Sequence, residues 1–399
     1  MLSGAVTGSL VRELNLQAVY LAVRQLHPVS RAELARRLGT SKPTIGRSID
    51  ALLAAGLIRA ADATGYGATF FEPCPEAGAV LGLDVGSRYL RGVIADLDGN
   101  ERARADVRLA SNHGPDVVAD AVRLKEKLTT EAEVDTVDMA VVGIGGVIDP
   151  RTGQVRVANQ HELNGFAAGA EFRTALGVPV TVENDVNLAA LGEGRRGAGV
   201  GLRDFAFLAV GSGVGAGLVL GGEVHRGHHG AAGEIDYVRP GHEFEPASPA
   251  ADAFLAYAEK LVAQFAKPRA RSDPDRLAQA MGTSLRSPLT TEAIMAAARD
   301  GDGFGLSLVD LEADRIARYA STLTQVVDLE LVVLGGGLGL NGDLLLDPVR
   351  AALAALVPYP PGVEVSQLGA DATLVGAIML ALQEVLDDLV PTRVAAAGG

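Results

Sequence analysis

Tryptophan is missing from this 399-residue chain, aromatic residues make up only 4% of it, and its single cysteine, Cys74, sits between Pro73 and Pro75. One cysteine excludes an intrachain disulfide and any cysteine-rich zinc site. With so few rings the core must be built from Val, Leu, Ile and Ala, and a chain of this length should divide into about three units. The N-terminus lacks the basic, apolar, small-residue order of a signal peptide. The one uncharged run long enough to imitate a membrane span is 205–222, but six of its residues are Gly, so it reads as two strands around a loop. A cytoplasmic protein without a membrane partner is expected.

An overall basic excess is missing too, since the net charge is −14. The distribution is uneven. Residues 1–72 carry eight Lys and Arg against five Asp and Glu, a net of +3, and the remainder carries 27 against 44, a net of −17. Such a body repels phosphate, so nucleic-acid affinity must lie in the N-terminal segment.

That segment contains a helix-turn-helix pattern. Ser30 and Glu33 have the spacing of a reciprocal cap, which predicts a helix starting at Arg31. Leu34, Ala35 and Leu38 recur at helical spacing, and Gly39 stands where the chain must turn. Thr40 or Ser41 can cap a second helix, Pro43 suits its first turn, and Ile45, Ile49, Leu52 and Leu53 form its apolar stripe before Gly56. Arg31, Ser41, Lys42, Thr44, Arg47 and Ser48 are the candidate DNA contacts, the last four of these on an outward face. Residues 57–61 and 69–72 read as two short strands of a wing around Thr64-Gly65-Tyr66-Gly67. The bland alternative is a helical hairpin with a basic face.

Beyond a 73–79 linker the pattern becomes strand-rich. Residues 80–85, 90–96 and 102–109 predict three consecutive strands, 116–128 a helix, 139–144 a buried strand and 178–182 another, running into Glu183-Asn184-Asp185. The order repeats with 205–210, a glycine loop, 217–220, helices at 252–264 and 292–327, and a strand at 331–334 ending in Gly335-Gly336-Gly337. Two similar α/β lobes follow, at 80–190 and 191–371, with a C-terminal helix near 372–388 packing back on the first.

Five motifs carry a resemblance: Leu83-Asp84-Val85-Gly86, Glu183-Asn184-Asp185-Val186-Asn187, Gly211-Ser212-Gly213-Val214-Gly215-Ala216-Gly217, Gly230-Ala231-Ala232-Gly233-Glu234-Ile235 and Leu334-Gly335-Gly336-Gly337. In this order, behind a helix-turn-helix, the chain resembles the ROK family of repressors, open reading frames and sugar kinases. The resemblance implies an α+β winged helix at 1–72 followed by a two-lobed, actin-like and hexokinase-like body. It implies a sugar held by Asn184, Asp185 and Glu234, with Gly146, Asn159 and Tyr237 adding contacts. Carboxylates and amides suit vicinal hydroxyls because each can hold two of them. Asn184 and Asp185 equally suit capping of a helix that begins near Val186.

Three departures from the family pattern shape the expected function. Family kinases read D-x-G-G-T-K at the first strand turn, whereas this chain has Asp84-Val85-Gly86-Ser87-Arg88-Tyr89, adding bulk where phosphates would lie. Gly211, Ser212, Gly213, Gly335, Gly336 and Gly337 remain as residual nucleotide loops. Many members also place His and three Cys in a structural zinc site. This chain continues Gly233-Glu234-Ile235-Asp236-Tyr237 without a later cysteine, and His225, His228, His229 and His242 read as solvated or sugar-contacting. The wing tip, finally, lacks the Arg of its relatives. The expectation is a sugar-responsive regulator, without cofactor or metal, acting on operator DNA as a homodimer or dimer of dimers. The alternative is an ATP- and Mg-dependent sugar kinase with Asp185 as general base.

Overall fold

The computed structural model describes residues 8–62, 68–157, 161–237, 248–265 and 282–397. Helix α1 (Gly8–Leu26) buries Leu16, Val19, Tyr20 and Val23, a stripe at three- and four-residue spacing. After β1 (Val29–Ser30), α2 (Arg31–Leu38) begins where the Ser30 hydroxyl accepts the Glu33 N–H at 3.3 Å, and it ends at Gly39, whose φ of 59° suits the left-handed cap. Helix α3 (Lys42–Ala54) is capped by Ser41, not Thr40, and carries Pro43 in its first turn. Strands β2 (Ile58–Ala60) and β3 (Phe70–Pro73) complete an antiparallel sheet of order β1-β3-β2. This is a winged helix, with residues 63–67 of the wing tip outside the described residues.

Two local expectations are corrected here. The carboxylate of Glu33 turns to Arg36 at 2.6 Å and Arg37 at 3.0 Å instead of back to the Ser30 N–H, because two guanidiniums one turn away outcompete one amide. Ser48 does not face outward. It lies three residues after Ile45 and four before Leu52, which puts it on the core stripe, only 5% exposed.

In the first lobe, β4 (Ala79–Val85), β5 (Tyr89–Asp96) and β6 (Glu101–Arg108) form an antiparallel meander, and α4 (Gly114–Glu131) packs against it. Strand β7 (Met139–Ile144) leads into a hairpin of β8 (Val147–Ile148) and β9 (Val155–Val157). Helix α5 (Ala168–Leu176) then returns the chain to β10 (Val180–Asn184), which pairs in parallel with β7. The sheet order is β10-β7-β4-β5-β6, and α6 (Asp185–Arg196) leaves its carboxyl edge.

The second lobe repeats this plan. Strands β11 (Phe205–Val210), β12 (Val214–Leu220) and β13 (Glu223–Val224) meander antiparallel, and helices α7 (Ala251–Phe265), α8 (Thr291–Arg299) and α9 (Gly303–Val327) follow. Strand β14 (Leu331–Gly335), short α10 (Gly336–Gly339), α11 (Gly342–Leu356) and β15 (Gly362–Val365) complete it, giving the order β13-β12-β11-β14-β15. The helical stretch expected over 292–327 is broken: Gly301 turns at φ 81° and Asp302 caps α9 through the Phe304 and Gly305 N–H groups. The glycine loop is shorter than expected, because β12 starts at Val214, three residues before the expected 217. A Cβ on Gly217 would lie 2.4 Å from the Val186 carbonyl of α6, so glycine there lets α6 sit directly on the second sheet.

The last helix, α12 (Ala372–Ala397), runs beyond the expected 388 and joins the units. It packs on β4, β7 and α6, and its outer side meets α1 and α3 of the winged helix. A single apolar cluster therefore contains Leu16, Val23, Ile49 and Leu52 of the head together with Val80, Leu374, Ile378 and Val385 of the body. Window 369–386 is apolar enough by composition to cross a membrane, and half of it is buried inside the protein. Arg24 reinforces the joint by donating to the Leu97 carbonyl at 2.5 Å and to Asp98 at 3.1 Å.

Candidate sugar cleft and DNA-facing helix

The carboxyl ends of three parallel strands come level in the first lobe, where Asp84 of β4 stands opposite Gly143 of β7, and Gly143 opposite Glu183 of β10. Open α/β sheets bind ligands at such edges. Asn184 ends β10 and caps α6: its side chain accepts the Asn187 N–H at 2.9 Å and donates to the Gly146 carbonyl at 3.0 Å. Gly146, at φ 122°, adopts a backbone that side chains avoid. Asp185 opens the helix with its carboxylate against Gly145, where a Cβ would meet Oδ2 at 3.4 Å. Asn184 caps the helix, and Asp185 also serves its first turn, its Oδ1 accepting the Val186 N–H at 2.9 Å.

Glu234 approaches from the second lobe. Its segment is fixed by two glycines: a Cβ on Gly233 would lie 1.7 Å from the Ala216 carbonyl, and one on Gly230 would lie 2.0 Å from the Ile148 carbonyl of β8. The first contact is to the second lobe and the second to the first lobe, so this loop crosses the cleft. Burial raises the Glu234 carboxyl, and the charge of Asp185 raises it further. Asp185 is itself raised by burial. Asp84 is pushed up to about 7, chiefly by burial and then by Asp185, with Arg91 at 4.0 Å offsetting part of it. All three carboxyls are raised chiefly by burial, and the charge of Asp185 raises the other two further, a setting that suits a ligand bringing hydroxyl donors. Beneath them Glu183 is 7% exposed, accepts from the Asn184 N–H and Asn187 Nδ2, and pairs with Arg226 of the crossing loop. Sequence reading missed this Glu183–Arg226 pair, because 43 residues separate its members.

Asn159 and the side chain of Tyr237 lie outside the described residues, as does His242. Among the described residues no group of three His, Cys, Asp or Glu is placed to hold a metal ion. With no thiolate after Cys74, the donors do not fit the family's zinc.

At the first strand turn the Gly86 N–H donates to the Tyr89 carbonyl at 3.0 Å, and Ser87, Arg88 and Tyr89 stand exposed beyond it. That amide is engaged within the turn and not presented to a phosphate. The other glycines have packing reasons: a Cβ on Gly335 would strike the Phe207 ring at 2.1 Å, and one on Gly336, at φ 76°, would meet the Val210 carbonyl at 2.5 Å. Gly211 lies 3.5 Å from the Gly337 N–H by the same measure. Ser212 is exposed, and the Gly213 carbonyl accepts the Gly211 N–H at 3.0 Å.

On the winged helix, Lys42 and Arg47 are exposed on α3. Thr44 is half-buried, its hydroxyl 2.9 Å from that of Ser41. Arg31 pairs with Asp50 at 2.7 Å and lies over the Phe71 ring at 5.4 Å, tying α2, α3 and β3 together.

Comparison with known proteins agrees with this fold. The ROK family profile matches residues 80–384, and a MarR family profile matches 14–65. A glucokinase of Streptomyces coelicolor is 29% identical over 76% of this chain and 98% of its own length. The xylose repressor of Caldicellulosiruptor bescii is 22% identical over 95% of this chain and 98% of its own. The crystal structure of a ROK family transcriptional regulator, homologous to the E. coli MLC protein, superposes with a TM-score of 0.78 at 21% identity, covering 98% of this chain and all of that one.

Proposed function

This chain belongs to the ROK family, and we propose that it acts there as a sugar-responsive transcriptional repressor. In this reading α3 enters the major groove with Lys42, Thr44 and Arg47 toward DNA, Ser41 supports Thr44 at the helix start, and a sugar occupies the cleft at Gly146, Asp185 and Glu234. Asn184 holds the Gly146 carbonyl and the start of α6. The observation that carries the reading is the continuity from cleft to head. Helix α6 starts at Asp185, and Thr373 of α12 donates to the Asp185 carbonyl at 3.2 Å. A Cβ on Gly376 of α12 would lie 1.8 Å from the Leu188 carbonyl of α6, and one on Gly192 would lie 2.5 Å from the Ala372 carbonyl. Two helices in backbone contact move together, and α12 carries α1 and α3 on its far side.

Closure of the lobes on sugar would shift α6, and α12 would pass the shift to the head. In a dimer whose heads grip half-sites one helical turn apart, a changed spacing lowers DNA affinity. A mobility-shift titration of sugars against a duplex selected for binding this protein tests the reading. Release of the duplex by at least one sugar is expected, and a duplex affinity indifferent to every sugar that binds would end it.

A second reading, sugar phosphorylation, is favoured by Asp185 and by the likeness to a glucokinase. Asp185 would take the proton of the attacking hydroxyl, while ATP and Mg would supply the phosphoryl group and its charge neutralisation. The closed Gly86–Tyr89 turn argues against it. Turnover with ATP, magnesium and hexoses that disappears in Asp185→Asn would reverse the ranking.

A further inference from the structure

Beside the sugar cleft, a cavity of about 450 Å³ opens between the lobes, lined by Asp149, Arg151 and Arg156 of the β8–β9 hairpin and by His228 and His229 of the crossing loop. Its charge is opposite to that of the body around it. Asp149, its only lining carboxylate among the described residues, is already satisfied: Arg156 donates to Oδ2 from Nε at 3.1 Å and also from Nη2, and the Arg151 and Thr152 amides donate to Oδ1. These bonds, that of Arg156 first, hold its carboxyl down at about 2. The Arg151 guanidinium, whose Nε lies 4.0 Å from Asp149, and both imidazoles still face the cavity. The imidazole rings stand edge to face at 4.5 Å.

The cavity is shaped in advance, because its two walls are pinned together. Gly230 is buried against the Ile148 carbonyl at a spacing that excludes any side chain. Both walls also continue directly into the sugar cleft. Asp149 follows Gly146 by three residues, no more than ~10 Å of extended chain, and Gly230 precedes Glu234 by four.

We propose that the cavity receives an anionic substituent, phosphate or carboxylate, carried by the sugar in the cleft, so that the effector is an acidic saccharide. The proposal rests on the sugar reading of the cleft. Guanidinium and imidazole donors match an oxyanion with charge-assisted hydrogen bonds. In a body of net charge −17 a small cationic recess offers anions a favourable place. An anion held there bridges the hairpin of one lobe and the loop of the other, which favours the closed cleft.

Calorimetric titration of the full-length protein with glucose, mannose and xylose, with glucose and mannose 6-phosphates, with glucuronate and with inorganic phosphate tests this. A charged sugar is expected to bind at least about tenfold more tightly than its neutral parent. In Arg151→Ala/His229→Gln, whose exposed positions leave the unfolding midpoint unchanged, that gap should close. Equal affinities in the parent protein, or a gap that survives the double substitution, overturn the anionic subsite and leave the sugar cleft standing. Binding of inorganic phosphate that the double substitution does not weaken also overturns it, since the anion then sits elsewhere. If no sugar binds in either form, the cleft reading fails and this inference with it.

Discussion

Asp84 shows how a single buried carboxyl links the cleft to stability. Its ordinary value in an unfolded chain is near 4, and burial beside Asp185 moves it to about 7. Between those values the native state holds a proton that the unfolded state has released, so this group makes stability fall as pH rises from about 4 to about 7. Asp84→Asn should remove that slope, gaining on the parent protein with rising pH by at most ~4 kcal/mol, three units at about 1.36 kcal/mol each. Thermal melts of both proteins from acid to neutral pH read the difference, and parallel curves would refute it. On the winged helix, where DNA contact is proposed, Lys42 and Arg47 are exposed on α3. Lys42→Ala and Arg47→Ala should each reduce the slope of log affinity against log salt by about one, measured by fluorescence anisotropy. Arg31→Ala should behave differently, because its guanidinium is held by Asp50 and Phe71. Its cost should appear in the stability of the head.

At the scale of elements, α12 touches both α6 and the head and is the proposed route between cleft and DNA. Gly376→Ala places a methyl where only 1.8 Å separates it from the Leu188 carbonyl. The helices must part, at a cost of about 1–3 kcal/mol as in other overpacked sites. Sugar and DNA should each still bind, but the effect of one on the other should shrink, a loss that Gly46→Ala, with open space around it, should not reproduce. Local signals made much of this architecture legible. Ser30, Gly39 and Ser41 mark helix ends through their own backbone bonds, and the alternation of strands with Gly turns marks both sheets. Contacts distant in sequence left no such mark. Ser48 is the exception, since its spacing from Ile45 and Leu52 already put it on the buried stripe and only its polar hydroxyl suggested an outward face. Helix α1 was not singled out, although Leu16, Val19, Tyr20 and Val23 carry the period. Gly192 and Gly376 read as ordinary glycines until α6 and α12 are laid side by side, and Gly217 until α6 is laid on β12. In the cleft, residue types and order pointed to Asn184, Asp185 and Glu234, but the crossing of Glu183 to Arg226 and the cationic recess needed the fold.

The molecule as a whole is a small basic head fused by one apolar cluster to a two-lobed acidic body. A head on a loose tether would bind DNA regardless of the cleft. Here the buried Leu16, Ile49 and Leu52 share a core with Leu374 and Ile378, so rearranging the body obliges the head to move or to lose that burial. Tyr20 sits in this joint, 1% exposed, with its hydroxyl unpartnered among the described residues, a cost of about 1–3 kcal/mol that another packing could relieve. The central claim is therefore a coupling free energy between two sites, and coupling is reciprocal. Its most direct test measures sugar affinity twice by calorimetry, on the free protein and on the protein saturated with its selected duplex. The account predicts about a tenfold weaker sugar affinity on the DNA-bound protein, about 1.4 kcal/mol of coupling. Identical affinities in the two states would contradict it.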